Sequence, residues 1–201
     1  MIRPTLRASA TALLLVVAIA VSGCTKPTAE SFKATDVTGA PFGREFALTD
    51  HTGKPRTLTD FKGKVVVVFF GYTFCPDVCP TTMAALREVK EKLGADAGKL
   101  QVLFITVDPE RDTPQVLSVY VPAFDPDFLG LYGDAEATQK VAREFKVLYQ
   151  KSAGTTPTSY TVDHSAKVFI YDTQGRLRLL AAPDFSVDSY LHDVRMLLAG
   201  R

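Results

Sequence analysis

Two apolar runs, KVVVVFFGY (64–72) and LQVLFITVD (100–108), dominate the pattern of hydrophobic and polar positions along the chain. Both are rich in β-branched and aromatic residues, as expected of strands buried on both faces of an α/β sheet. Between them, Pro80 to Leu93 spaces Met83, Leu86, Val89 and Leu93 by three and four residues and stops at Gly94. This predicts an amphipathic helix with a glycine stop. Further on, TPQVLSVYVPAF predicts a helix with Pro114 near its first turn, FLGLYG a short strand and AEATQKVAREFKV another helix. Strands alternating with helices imply parallel βαβ units.

Two segments depart from that alternation. FALTD and RTLTDF flank HTGK, whose Gly53 and Lys54 make a turn, and predict an N-terminal β-hairpin. The stretch YTVDHSAKVFIYDTQGRLRLLAA reads as one strand, a turn at Thr173 to Gly175 and a second strand, followed by a helix from about Val187 to Leu198. Strands joined by so tight a turn are antiparallel. A βαβ half followed by a ββα half is the thioredoxin arrangement. The expected fold is therefore thioredoxin-like α/β: a central mixed sheet flanked by helices, with the hairpin added at its N-terminus.

The N-terminus is read separately. Arg3 and Arg7 precede an apolar run from Ala12 to Val21, shorter than the ~20 residues a membrane span requires. A basic start, a short apolar stretch and small residues at Ser22 and Gly23 make a secretory signal over 1–23. Its end, VSGC, resembles a bacterial lipoprotein signal, which makes Cys24 the expected lipid attachment site and the membrane an expected partner through the acyl chains. Polar residues with Pro27 and Gly39 predict a flexible tether over 24–40. The folded domain is then 41–201, exported to the periplasmic side of a membrane.

Composition adds one exclusion. With 201 residues, 46% hydrophobic and 22% charged, the chain suits one domain, and its formal charge of +1 with no clustered basic stripe argues against nucleic acid as a partner. Loss of 1–23 removes Arg3 and Arg7 and no acid, leaving 21 basic against 22 acidic residues. No electrostatic steering follows.

Cysteine count is more telling. With Cys24 lipidated, only Cys75 and Cys79 remain, on one short loop after the first buried strand, so they pair with each other or hold a metal. Proline disfavours the α region in the residue before it, so Cys75 before Pro76 and Cys79 before Pro80 are expected to be extended, with Pro80 at the first helical position and Cys79 at the N-cap. The carboxyl edge of an open α/β sheet is where such folds bind ligands. Helix-end amides there are expected to lower the Cys79 pKa. A purely structural disulfide closing so short a loop would restrain little of the unfolded chain. The C-x-x-x-C spacing alone serves either a redox disulfide or a soft metal.

Histidine breaks that tie. His51 falls in the hairpin turn and His192 in the last helix beside Asp193, positions of a turn residue and a surface or packing residue. His164 precedes the antiparallel strand, where the thioredoxin arrangement packs a loop against the cysteine loop. Two thiolates and an imidazole form an S₂N set; three ligands suffice for Cu(I), whereas structural zinc wants a fourth. Asp163 is either the group that orients His164 or a strand-end turn residue.

FGYTFCPDVCPTTM, ITVDPERDTP and YTVDHSAKVFIYD, in that order, resemble the Sco/SenC family from about Phe42 onward. The resemblance implies a membrane-anchored, thioredoxin-like domain that binds one copper ion, Cu(I) or Cu(II), through Cys75, Cys79 and His164. It further implies a role in supplying copper to, or keeping reduced, the dinuclear copper centre of cytochrome c oxidase subunit II. A periplasmic copper donor and a thiol reductant are the accompanying partners. Asp108 and Asp112 are expected on the rim beside Cys75, either modulating the metal or serving as turn and cap residues. Asp77 is either a turn former or a contact with the partner. Disulfide exchange has no evident need for the histidine, which favours a metallochaperone over a reductase. A peroxidase would need a low-pKa cysteine, and the chain has no tryptophan to act as the transition-state donor used by some such enzymes.

Overall fold

The computed structural model describes residues 31–154 and 159–201. Strands β1 (Thr35–Asp36), β2 (Ala47–Asp50), β3 (Pro55–Thr57), β4 (Val65–Gly71), β5 (Leu100–Thr106), β6 (Leu129–Tyr132), β9 (Val168–Tyr171) and β10 (Leu177–Ala181) form one sheet in the order β1-β10-β9-β4-β5-β6-β2-β3. β4, β5 and β6 are parallel, and β9 runs antiparallel on the other side of β4. Four helices complete these elements among the described residues: α1 (Val78–Leu93), α2 (Pro114–Tyr120), α3 (Ala135–Glu144) and α4 (Val187–Leu198). β4-α1-β5 is the expected βαβ half and β9-β10-α4 the expected ββα half.

Every residue of β4 and β5 is buried. Successive side chains go to opposite faces. Val65, Val67 and Phe69 pack with Met83 and Leu86 of α1, Leu117 of α2 and Val194 of α4. Val66, Val68 and Phe70 pack with Val141 and Phe145 and with Leu48 of the hairpin. A fully buried side chain of this size contributes about 1.5–3 kcal/mol. The uninterrupted apolar run is thus the physical reason that β4 lies in the middle, with its carboxyl end, and the cysteine loop, at the rim.

The expected hairpin is present, and it extends the sheet because β2 also pairs with β6. The tether ends earlier than expected. Lys33 and Ala34 donate their backbone N–H groups to the Asp193 carboxylate at 2.8 Å, and β1 pairs with β10. The polar composition of 33–36 concealed this, because the docking uses backbone groups. Residues 24–30, Cys24 and the signal segment 1–23 lie outside the described residues.

A second difference concerns the stretch read as one strand before the turn. It is two strands, β8 (Thr161–His164) and β9, separated by Ser165–Lys167. β8 pairs with β7 (Tyr149–Ser152) in a separate two-stranded ribbon.

Candidate metal centre

The site lies where β4 ends. Cys75 and Cys79 are free thiols, and their sulfurs and a ring nitrogen of His164 all lie within 4.8 Å of one another. Cys79 Sγ is 3.7 Å from His164 Nε2, and the Cys79 amide donates to Cys75 Sγ at 3.4 Å. A carbonyl can only accept, so the 3.3 Å contact of His164 Nδ1 with the Ser165 carbonyl puts a proton on Nδ1 and leaves the Nε2 lone pair facing the sulfurs. Phe69 and Tyr72 meet the imidazole edge-on. Burial lowers the His164 pKa, against the Ser165 carbonyl and the Asp163 charge, which favours the neutral, ligating form.

Two expectations about Cys79 are corrected. Helix α1 starts at Val78 and Asp77 occupies the N-cap position, so Cys79 is helical and lies in the first turn. Amides of the first turn have no intrahelical acceptor, so Pro80 removes no helical hydrogen bond there. The conformational bias before proline yields to burial of the sulfur, for Cys79 is wholly enclosed. That enclosure also reverses the expected pKa shift: desolvation, followed by Cys75, pushes the Cys79 thiol well above its usual range despite the helix end.

Gly71 makes the enclosure possible. A Cβ there would lie 2.8 Å from Cys79 Sγ and 2.7 Å from the Phe104 ring. Sequence reasoning passed over it, although a glycine ending a run of bulky strand residues signals close approach by another group. Thr73 was also missed. Its amide and hydroxyl both donate to Asp112, which is buried and accepts from Thr106 Oγ1 as well. Asp112 therefore fastens the cysteine loop to the end of β5. Burial raises its pKa against the hydrogen bonds from Thr106 and Thr73.

The other predicted aspartates have partners of their own. Asp108 is buried against Arg111 and accepts from the Tyr160 hydroxyl at 2.7 Å. The cap of α2 is Thr113, which accepts from the Val116 amide, so neither Asp108 nor Asp112 has that task. Asp77 is exposed and accepts from Thr81 Oγ1 at 3.3 Å. Asp163, for which orienting His164 and serving as a strand-end residue were both open, is exposed and accepts from Ser152 Oγ at 2.5 Å, on the opposite face of β8 from the imidazole. The Ser165 carbonyl fills that position. His51 is more than a turn residue: its Nδ1 accepts from the Gly130 amide at 3.1 Å. His192 contacts Asp193 at 2.8 Å, away from the sulfurs.

Two sulfurs and one neutral imidazole nitrogen, gathered from two segments, suit a soft metal with a low ligand count. The same pair of thiols suits disulfide exchange. The family model described as SCO1/SenC matches residues 34–199. A bovine relative, "Protein SCO2 homolog, mitochondrial", is 41% identical over 133 residues, which is 65% of this chain and 50% of that protein, so the chain spans about half the length of that relative. Among solved structures, apo Sco1 from Thermus thermophilus is similar with a TM-score of 0.75 and 44% identity, covering 86% of this chain and 100% of the other. Bradyrhizobium japonicum ScoI with copper bound gives a TM-score of 0.72 and 39% identity, covering 78% and 99%. From the match along nearly the whole described domain, with its fold and its paired cysteines and histidine, the chain belongs to the SCO1/SenC family.

Proposed function

We propose that the chain is a copper metallochaperone that takes one copper ion on Cys75, Cys79 and His164 and delivers it to the dinuclear copper centre of cytochrome c oxidase subunit II during assembly. The supporting observation is the convergence of two free thiols and a neutral imidazole within 4.8 Å. A similar chain has been solved with copper bound. Three ligands leave a side for an acceptor's thiolate, so copper passes by ligand exchange: the acceptor sulfur adds as Cys75, the less enclosed of the two thiols, leaves. Metal binding displaces thiol protons. In this reading Cys24 carries a lipid that tethers the folded domain at the periplasmic side of a membrane, and a periplasmic donor loads it.

The test is a transfer experiment. The reduced full chain, loaded with one equivalent of Cu(I), is mixed with a soluble acceptor domain bearing paired cysteines. Copper should move to the acceptor. A chain that binds no copper, or binds it and never releases it to such an acceptor, contradicts the proposal.

A second reading, a thiol-disulfide reductase for the acceptor's copper-site cysteines, is favoured by the unequal exposure of the two thiols. The Cys75 thiolate would attack the acceptor disulfide, forming a mixed disulfide and releasing one acceptor thiolate. Cys79 would then attack Cys75 Sγ, releasing the second thiolate and leaving the pair oxidised. A His164→Ala chain that lost reductase activity with unchanged copper affinity would favour this reading.

A further inference from the structure

β8 delivers His164, yet among the described residues no backbone ladder joins the β7-β8 ribbon to the eight-stranded sheet. An isolated two-stranded ribbon is marginal in water, so other contacts must fix the distance from imidazole to sulfur. Several converge on Arg111. Its guanidinium lies 3.6 Å from the Tyr160 ring centroid, 4.8 Å from that of Phe74 and 5.6 Å from that of Tyr72. Nη1 donates to the Tyr160 carbonyl at 2.8 Å, and Nε donates to the Asp108 carboxylate. Asp108 accepts in turn from the Tyr160 hydroxyl at 2.7 Å. Beside them Lys151 of β7 pairs with Glu110 at 2.7 Å and stands 4.7 Å over the Tyr160 ring.

One side chain therefore touches three segments: the cysteine loop at Tyr72 and Phe74, the loop after β5 at Asp108, and the entry to β8 at Tyr160. We propose that Arg111 is a positioning residue for the metal site, a clasp that holds the ribbon on the cysteine loop and thereby sets the reach of His164 to Cys79. The inference rests on the copper reading above. Arginine suits the task because its rigid planar fork donates in two fixed directions while its flat face stacks on aromatic rings; a lysine ammonium is a compact point charge with three rotatable donors and no plane to stack. A residue that merely neutralised Asp108 would stabilise the rim without acting through the histidine.

Two full-chain variants separate these roles. Arg111→Lys keeps the charge and loses the fork, and Tyr160→Phe keeps the ring and loses only the hydroxyl on Asp108. In Arg111→Lys, amide exchange in β7 and β8 should accelerate by about tenfold relative to β4 and β5. Copper affinity should fall by about tenfold, with no further fall when the substitution is added to His164→Ala, while the Cys75–Cys79 disulfide still forms. Tyr160→Phe should act in the same direction to a smaller extent, and serves if Arg111→Lys does not fold. Unchanged exchange in the ribbon, or an equal loss of copper affinity with and without His164, overturns the clasp. A wild-type chain that binds no copper overturns the chaperone reading instead, and the exchange comparison still decides the clasp.

Discussion

At Gly71 a single hydrogen in place of a methyl group decides whether the Cys79 sulfur has room. The contacts an added Cβ would make, 2.8 Å to sulfur and 2.7 Å to the Phe104 ring, are with groups that are themselves fully buried and have little space to retreat. Overpacking of this kind costs about 1–3 kcal/mol. Gly71→Ala should lower the denaturant midpoint accordingly and, by displacing the sulfur, weaken copper binding; a variant with wild-type stability and affinity would show that the sulfur can move freely. The two cysteines and His164 were legible at this scale because cysteine and histidine are rare in the chain and chemically distinctive. Gly71, Thr73 and Arg111 were not, since their roles lie in what they approach, and a residue type does not reveal its neighbour.

Among the elements, the hairpin shows how one buried carboxylate organises a turn. Asp50 accepts from the Thr52 amide and hydroxyl, the Lys54 amide and Arg56 Nε. Burial opposes its ionisation, but these hydrogen bonds outweigh it and hold the pKa at about 2. A carboxyl whose folded pKa lies below its unfolded one stabilises the fold above about pH 4, and the contribution disappears as pH falls toward 2. Asp50→Asn should therefore reduce stability at neutral pH by about 2 kcal/mol, and the gap between variant and wild type in urea unfolding should close between pH 4 and pH 2. A gap independent of pH would mean that the charge is not what matters. Most elements were readable because their patterns face a core: β4 and β5 as apolar runs, α1 from its three- and four-residue spacing. β7 was not, because Gln150 and Lys151 are exposed and no alternation marks the strand. The break between β8 and β9 was hidden for a related reason: β-forming residues continue on both sides of Ser165–Lys167, where the chain leaves β7 for β4 and β10.

At the scale of the molecule, the sheet presents the cysteine loop at the carboxyl end of a central strand, while one edge of the sheet is closed by β1. Asp193, fully enclosed, is the acceptor for the Lys33 and Ala34 amides. Asp193→Ala would leave both amides without that acceptor, at a cost of about 2 kcal/mol or more, and should speed exchange at residues 33–36 while leaving the paired sulfurs undisturbed. Protection unchanged at those amides would show that β1 pairing suffices alone. Such a lock holds residues 33–36 at a fixed point on the domain, a feature invisible in sequence because the groups held are main-chain amides. The βαβ and ββα halves, by contrast, followed from the order of strand and helix patterns, and they suffice to place a loop before β9 opposite a loop after β4.

That juxtaposition of a distant imidazole with two sulfurs is the claim on which the functional account depends, and copper titration of the reduced full chain beside its His164→Ala variant tests it most directly. The wild type should bind one equivalent and show a sulfur-to-copper absorption band in the Cu(II) form, and the variant should bind roughly a hundredfold more weakly while still forming the Cys75–Cys79 disulfide. Equal copper affinity in the two chains would contradict the account.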